Sequence, residues 1–122
     1  MPVPRITREE LKQQLDSGQP PVLLDVRLKY PYEHSTVKLP GAVRIAPQEE
    51  PDTAGLSKGT AIVAYDSDPD ELVSSRVAAH LIRKGYRVSA LKGGVADWLG
   101  ASYPIETKDS IRSAPPEPGS LK

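Results

Sequence analysis

Four carboxylates crowd one short segment of this chain: Asp66, Asp68, Asp70 and Glu71 fall within six residues. Side chains of this type at this spacing permit three kinds of chemistry. Oxygen ligands in a cluster suit hard cations such as Mg²⁺ or Ca²⁺, which makes Asp66, Asp68 and Asp70 candidate ligands. An aspartate can also attack phosphorus, as carboxylate nucleophiles do in covalent phosphoryl transfer. The third option is structural: the first carboxylate can turn back into its own loop and accept charge-assisted hydrogen bonds from backbone N–H groups. That last arrangement would be a self-filled and chemically silent loop, and it is the reading against which the other two are weighed. The start D-x-D-x-D is also that of a calcium loop, but an EF-hand needs glycine at its sixth position and glutamate at its twelfth. Here those places hold Glu71 and Val77.

The elements around the segment decide how it is presented. The apolar run AIVAY, residues 61 to 65, empties into Asp66-Ser67-Asp68-Pro69-Asp70-Glu71. From Leu72 and Val73 onward, Val73, Val77 and Leu81, with Ala78 and Ile82 beside them, recur at helical spacing, and Gly85 marks the end of the helix. A loop between a strand and a helix start presents backbone N–H groups to anions. Three more short apolar runs, VLLDV (22 to 26), AVRIA (42 to 46) and RVSAL (87 to 91), are continuous rather than alternating. That pattern belongs to parallel strands covered on both faces, so the class is α/β.

Upstream, Thr7 and Glu10 form the two ends of a capping box, with Ile6 and Leu11 placed as a hydrophobic staple. Leu11 and Leu15 share one helical face, and Gly18 followed by Pro20 and Pro21 stops the helix, predicted over residues 8 to 17. After the fourth run come Lys92-Gly93-Gly94, a short helix VADWLG with the only tryptophan, and a turn at Tyr103-Pro104-Ile105. From Thr107 on, proline, serine and charge dominate, which predicts a disordered tail over residues 107 to 122. No internal repeat is visible, and one domain over residues 1 to 106 is expected.

Composition excludes several function classes. There is no cysteine, so thiolate nucleophiles, persulfides, disulfides and thiolate metal sites are all ruled out. Sixteen basic residues balance sixteen acidic ones, leaving no net field to draw the chain to nucleic acid or to an anionic membrane. No apolar stretch approaches a membrane span, and the opening MPVPRITREEL lacks the apolar core of a secretory signal, so a cytoplasmic protein is expected. The two imidazoles, His34 in a turn and His80 in the long helix, lie in no recognisable catalytic motif.

Several segments together resemble the rhodanese-like (sulfurtransferase) family. LLDVR, residues 23 to 27, is similar to the family's opening strand with its Asp-Val-Arg signature, and LPGAVRI, residues 39 to 45, to its Pro-Gly-Ala segment. LKGGVADW and YPIE match its closing Gly-Gly, Trp and Tyr-Pro elements, so that residues 6 to 106 are covered in order. The resemblance implies a five-stranded, mainly parallel sheet with helices on both faces, and an active loop that follows the fourth strand. In active members a cysteine opens that loop and carries the transferable sulfur. Here Asp66 stands in its place, the loop is about two residues longer than the usual cradle, and it carries acidic residues where glycine and basic residues are usual. Lys38 replaces the histidine often found before Leu-Pro-Gly-Ala. An aspartate cannot hold a transferable sulfur atom.

The expectation is therefore a catalytically inactive rhodanese-like module that binds or regulates, with no cofactor, no nucleic-acid or membrane partner, and any protein partner unknown. The rival class is an enzyme: sulfur transfer that avoids a protein cysteine, or phosphatase chemistry. For the latter, Asp66 and Asp68 resemble the nucleophile motif of haloacid-dehalogenase-like phosphatases, although Asp70 stands where that motif has threonine. Asp25 and Arg27 read as structural, holding neighbouring loops by ion pairs. Arg76 is placed to pair with Asp70 or Glu71, Ser74 and Ser75 are cap candidates, and Trp98 reads as core.

Overall fold

A computed structural model of the protein describes residues 3–48, 53, 55–68 and 70–108. The chain runs β1 (Arg5–Ile6), α1 (Arg8–Asp16), β2 (Val22–Asp25), α2 (Lys29–His34), β3 (Val37–Lys38) and β4 (Val43–Arg44). It continues through β5 (Ala61–Tyr65), α3 (Leu72–Arg83), β6 (Arg87–Leu91), α4 (Gly94–Gly100) and β7 (Glu106–Thr107). Five strands form one sheet in the order β1-β6-β5-β2-β4, with every pairing parallel. Short β3 and β7 pair antiparallel in a separate ribbon.

The continuous apolar strands are buried on both faces, as their composition requires. Side chains alternate along each strand, so one face of the sheet takes Leu23, Val63, Tyr65 and Leu91 and packs them with Leu11, Val95 and Trp98 of α1 and α4. The other face takes Leu24, Ile62, Ala64 and Val88 and packs them with Val77, Ala78 and Leu81 of α3. The sheet thus divides two cores. Trp98 is fully buried in the first, edge-on to Tyr103, with its indole N–H donating to the Pro104 carbonyl at 2.8 Å.

Local signals set the boundaries. The capping box of α1 is complete: the Glu10 N–H donates to Thr7 Oγ1 and the Thr7 N–H to Glu10 Oε1. Gly18, at φ +88°, turns the chain out of the helix.

Three features depart from the sequence expectation. Residues 29–34 form α2 instead of a turn; the segment buries no residue and has no side-chain cap, so it carries no apolar period. Pro31 sits in its first turn, where a missing N–H costs nothing. Residues 107 and 108, the first two of the expected tail, are part of the fold, because Thr107 pairs with Val37 in β7 and the Lys108 N–H donates to the Thr36 carbonyl. Residues 109–122, the rest of the expected tail, lie outside the described residues. AVRIA yields only the two-residue β4, an edge strand paired on one side with β2.

Candidate functional site

Strand β5 delivers Asp66 to the carboxyl end of the sheet, and α3 starts at Leu72. Asp66 is 1% exposed. Its Oδ1 accepts from the Asp68 N–H at 3.0 Å and its Oδ2 from the Ser74 N–H at 2.6 Å, so both oxygens are held by backbone amides of the loop and of the first turn of α3. The Asp66 carbonyl accepts from the Val95 N–H at 2.8 Å, which ties the loop to the start of α4. Burial pushes the Asp66 carboxyl above the ordinary carboxylate range. The N–H groups of Ser74, Asp68 and Val73 pull the other way by favouring the charged form, and the neighbouring charge of Asp68 adds to the upward push.

The remainder of the loop is arranged around the backbone. Asp68 Oδ1 accepts from the Asp70 N–H at 2.8 Å, a local Asx turn. Ser67 and Asp68 are half-buried and Asp70 and Leu72 exposed, while Pro69 lies outside the described residues. The three aspartates do not converge: among the described residues no group of three or more carboxylates or imidazoles could hold a metal ion. The cation candidates Asp66, Asp68 and Asp70 are kept apart because the first two point their oxygens at N–H groups. Nor is Asp66 presented as a nucleophile, since a buried carboxylate bonded through both oxygens has no open face toward phosphorus.

Glu71 has a partner that sequence reasoning did not find. It is 2% exposed and takes the left-handed conformation at φ 57°, ψ 35°, which a non-glycine residue adopts only when its surroundings impose it. Those surroundings are Arg5 and Gly93. Arg5 Nε and Nη2 donate to the two Glu71 carboxylate oxygens at 2.5 and 3.0 Å, and the Gly93 N–H donates to Oε2 at 2.9 Å. The Arg5 bonds hold the Glu71 carboxyl below its usual range, against the smaller upward effect of burial. Arg76, expected to pair with Asp70 or Glu71, instead donates to the Pro47 carbonyl at 2.8 Å. It lies one turn into α3, on the side facing the segment after β4, whereas Glu71 turns toward β1. No local signal marks the Arg5–Glu71 pair, whose members lie 66 positions apart.

Gly93 and Gly94 close the loop from behind. Both have positive φ, and a Cβ at Gly94 would meet the Asp66 carbonyl oxygen at 2.7 Å. Only glycine lets α4 approach the loop so closely.

Beside the loop lies a buried ionic network. Asp25, Tyr65 and Arg44 are in register across β2, β5 and β4. Arg27 Nε and Nη2 engage the Asp25 carboxylate, the shortest bond being 2.6 Å, and Nη2 also donates to the Val37 carbonyl. The Tyr65 hydroxyl donates to Asp25 Oδ2 at 3.0 Å and accepts from the Leu39 N–H at 3.2 Å. Burial, then the nearby Asp25 charge, raises the Tyr65 phenol far above its usual value. Asp25 and Arg27 thus fasten the loop that follows β2 to β3. Lys38 in turn donates to the Ala42 carbonyl and faces Glu106 at 3.6 Å. Ser74 contributes its backbone N–H to Asp66 and not a side-chain cap; its hydroxyl is buried with no partner among the described residues. No helix among the described residues is long and apolar enough to cross a membrane.

Comparison with known proteins places this geometry. The fold matches the full-length protein from Lactobacillus plantarum with a TM-score of 0.73 at 22% identity, over 84% of this chain and 87% of that one. A rhodanese-like domain protein from Staphylococcus aureus aligns with a TM-score of 0.65 at 24% identity, over 79% of this chain and 91% of that one. The rhodanese-like domain of an Anabaena protein aligns with a TM-score of 0.68 at 26% identity, over 92% and 85% of the two chains. No curated protein matches the sequence. The model of the rhodanese-like domain matches residues 7–101, most of the chain, and the protein belongs to the rhodanese-like domain family.

Proposed function

We propose that this rhodanese-like domain is catalytically silent in sulfur transfer and acts as a binding or regulatory module. One observation carries the reading. At the position from which active relatives would present a sulfur nucleophile, a buried aspartate accepts hydrogen bonds from the Asp68 and Ser74 amides through its two oxygens. The amides that would stabilise a transferred anionic sulfur already hold an anion that belongs to the chain. Without any cysteine, the chain has no other atom to carry the sulfur.

A binding role is supported by what the carboxyl edge of the sheet displays. Leu28 and Tyr30, after β2, and Leu72, after β5, are each more than half exposed on segments that the ionic network and the Asp66 loop hold in place. Rigid scaffolds that present apolar side chains on such loops suit protein partners. The test is a thiosulfate-to-cyanide sulfurtransferase assay on the purified protein. The expected result is no turnover above the uncatalysed rate; turnover that scales with protein concentration would overturn the reading.

A further inference from the structure

We propose that the cavity at the carboxyl end of β4 is an oxyanion site, in which Arg44 and Lys29 take a phosphate or carboxylate group. The cavity has a volume of about 460 Å³ and is lined by Lys29, Tyr32, Glu33, Arg44, Pro47 and Gln48. It lies at the carboxyl edge of a parallel sheet, where open α/β folds bind ligands, and two strands away from β5 and its loop.

Among the described residues, this network carries more positive than negative charge. Two guanidinium groups, Arg27 and Arg44, face one buried carboxylate, Asp25. Arg27 takes that carboxylate in the close bidentate contact, leaving Arg44 Nη1 at 3.8 Å from Asp25 Oδ1. Arg44 Nη1 also donates to the carbonyls of Arg27 at 2.6 Å and Asp25 at 3.2 Å. Among the described residues its Nε and Nη2 donate to nothing. That edge is the fork with which arginine binds carboxylate or phosphate in a bidentate manner. The side chain is 25% exposed. Burial depresses its pKa, the sign of a cation whose partners do not fully repay its lost hydration.

The geometry also holds this fork in place. The Arg44 guanidinium stacks on the Tyr32 ring, 4.0 Å from its centroid, and α2 carries Tyr32 together with Lys29 and Glu33. Lys29 has a second ring, Tyr30, 5.9 Å away, and among the described residues makes no ion pair. It therefore supplies a second positive charge to the cavity. Glu33 is the one carboxylate among the described lining residues, and it opposes an anion. Arg76 holds the opposite wall through the Pro47 carbonyl.

The test is an NMR titration of the full chain with inorganic phosphate and, separately, with acetate, at constant ionic strength set by chloride. Readouts are the Arg44 Nε–H signal and the backbone amides of residues 44 to 48. A saturable shift is expected, and a tighter midpoint for phosphate or for acetate identifies the group that the site prefers. Arg44 also braces the network, so the decisive variants are those of α2. Lys29→Gln should weaken binding about tenfold, the worth of one charged hydrogen bond, while Glu33→Gln should tighten it several-fold. Absence of saturation into the tens of millimolar overturns the proposal. So does a response that chloride alone reproduces, or equal midpoints in both variants and the parent. Asp66→Asn leaves this titration unchanged, which separates it from the reading of the Asp66 loop.

Discussion

Replacing Asp66 by asparagine tests whether the carboxylate holds the loop together. The side chain keeps its shape but exchanges one oxygen for an NH₂ group. Whichever way the amide is turned, either the Asp68 N–H or the Ser74 N–H then faces a donor. A buried donor deprived of its acceptor costs about 1–3 kcal/mol. The opposing effect is relief of the buried charge, since burial already biases Asp66 toward its neutral form. A net loss of about 1–2 kcal/mol is expected, and for a domain of this size that is a fall in Tm of roughly 4–15 °C. The assay is thermal unfolding at neutral pH, followed by circular dichroism, together with the amide shifts of Asp68 and Ser74. The pH dependence follows from linkage. The folded pKa of Asp66 lies above its unfolded value, so its contribution to stability is fully present below the unfolded value, about 3.9, and is lost as pH rises through the folded value. The asparagine variant lacks that term, and the deficit relative to the parent therefore narrows toward neutral pH. An unchanged Tm with unmoved Asp68 and Ser74 amides would refute the seating of the carboxylate.

Glu71→Gln should remove an acid-sensitive contribution of opposite sign. Arg5 holds the Glu71 pKa below its unfolded value, so its stabilisation is present above about pH 4.3 and is lost as pH falls through the folded value; acid titrations of parent and variant should diverge above that window and converge below it. Tyr65→Phe leaves the Leu39 N–H without its acceptor and Asp25 without one donor, and should cost about 2 kcal/mol by urea unfolding. In the parent, the Tyr65 ring signal should show no ionisation near the usual tyrosine value of about 10 while the fold persists. Leu81→Ala, at a fully buried position of α3, should cost about 2–5 kcal/mol by the same assay. Asp66→Cys should acquire no measurable thiosulfate-to-cyanide activity, because Asp68 stays in the loop and Glu71 remains fixed by Arg5; vigorous turnover would show that the loop is a competent cradle lacking only its sulfur.

What could be read from the sequence was what local chemistry encodes. The capping box at Thr7 and Glu10 announced α1, and AIVAY and RVSAL marked β5 and β6 to the residue, because the first is an apolar run and the second sets Val88, Ala90 and Leu91 between the turn residues Gly85 and Gly93. Asp66 could be placed, and its inward-turned carboxylate anticipated, because a strand and a helix bracket it at short range. The elements that escaped had no such marks. α2 buries nothing and carries a proline, β1, β3, β4 and β7 are two residues each, and the β3–β7 ribbon joins segments that only the completed fold brings together. The partner of Glu71 was beyond reach for the same reason, since proximity along α3 pointed to Arg76 while the fold supplied Arg5 from the other end of the chain. The counter-ion deficit at Arg44 likewise depends on β4 lying beside β2, an adjacency that no single segment reveals.

The Arg5–Glu71 pair bears on the history available to this loop. A cysteine placed at position 66 would enter a loop bent by a left-handed glutamate whose anchors sit on β1 and at Gly93. The pair is asymmetric: removing Arg5 leaves the buried Glu71 carboxylate without its cation, whereas removing Glu71 leaves a half-exposed Arg5 that water can solvate. The order of change is thereby fixed: Glu71 can be replaced while Arg5 stays, but Arg5 cannot be replaced first without leaving a buried charge alone.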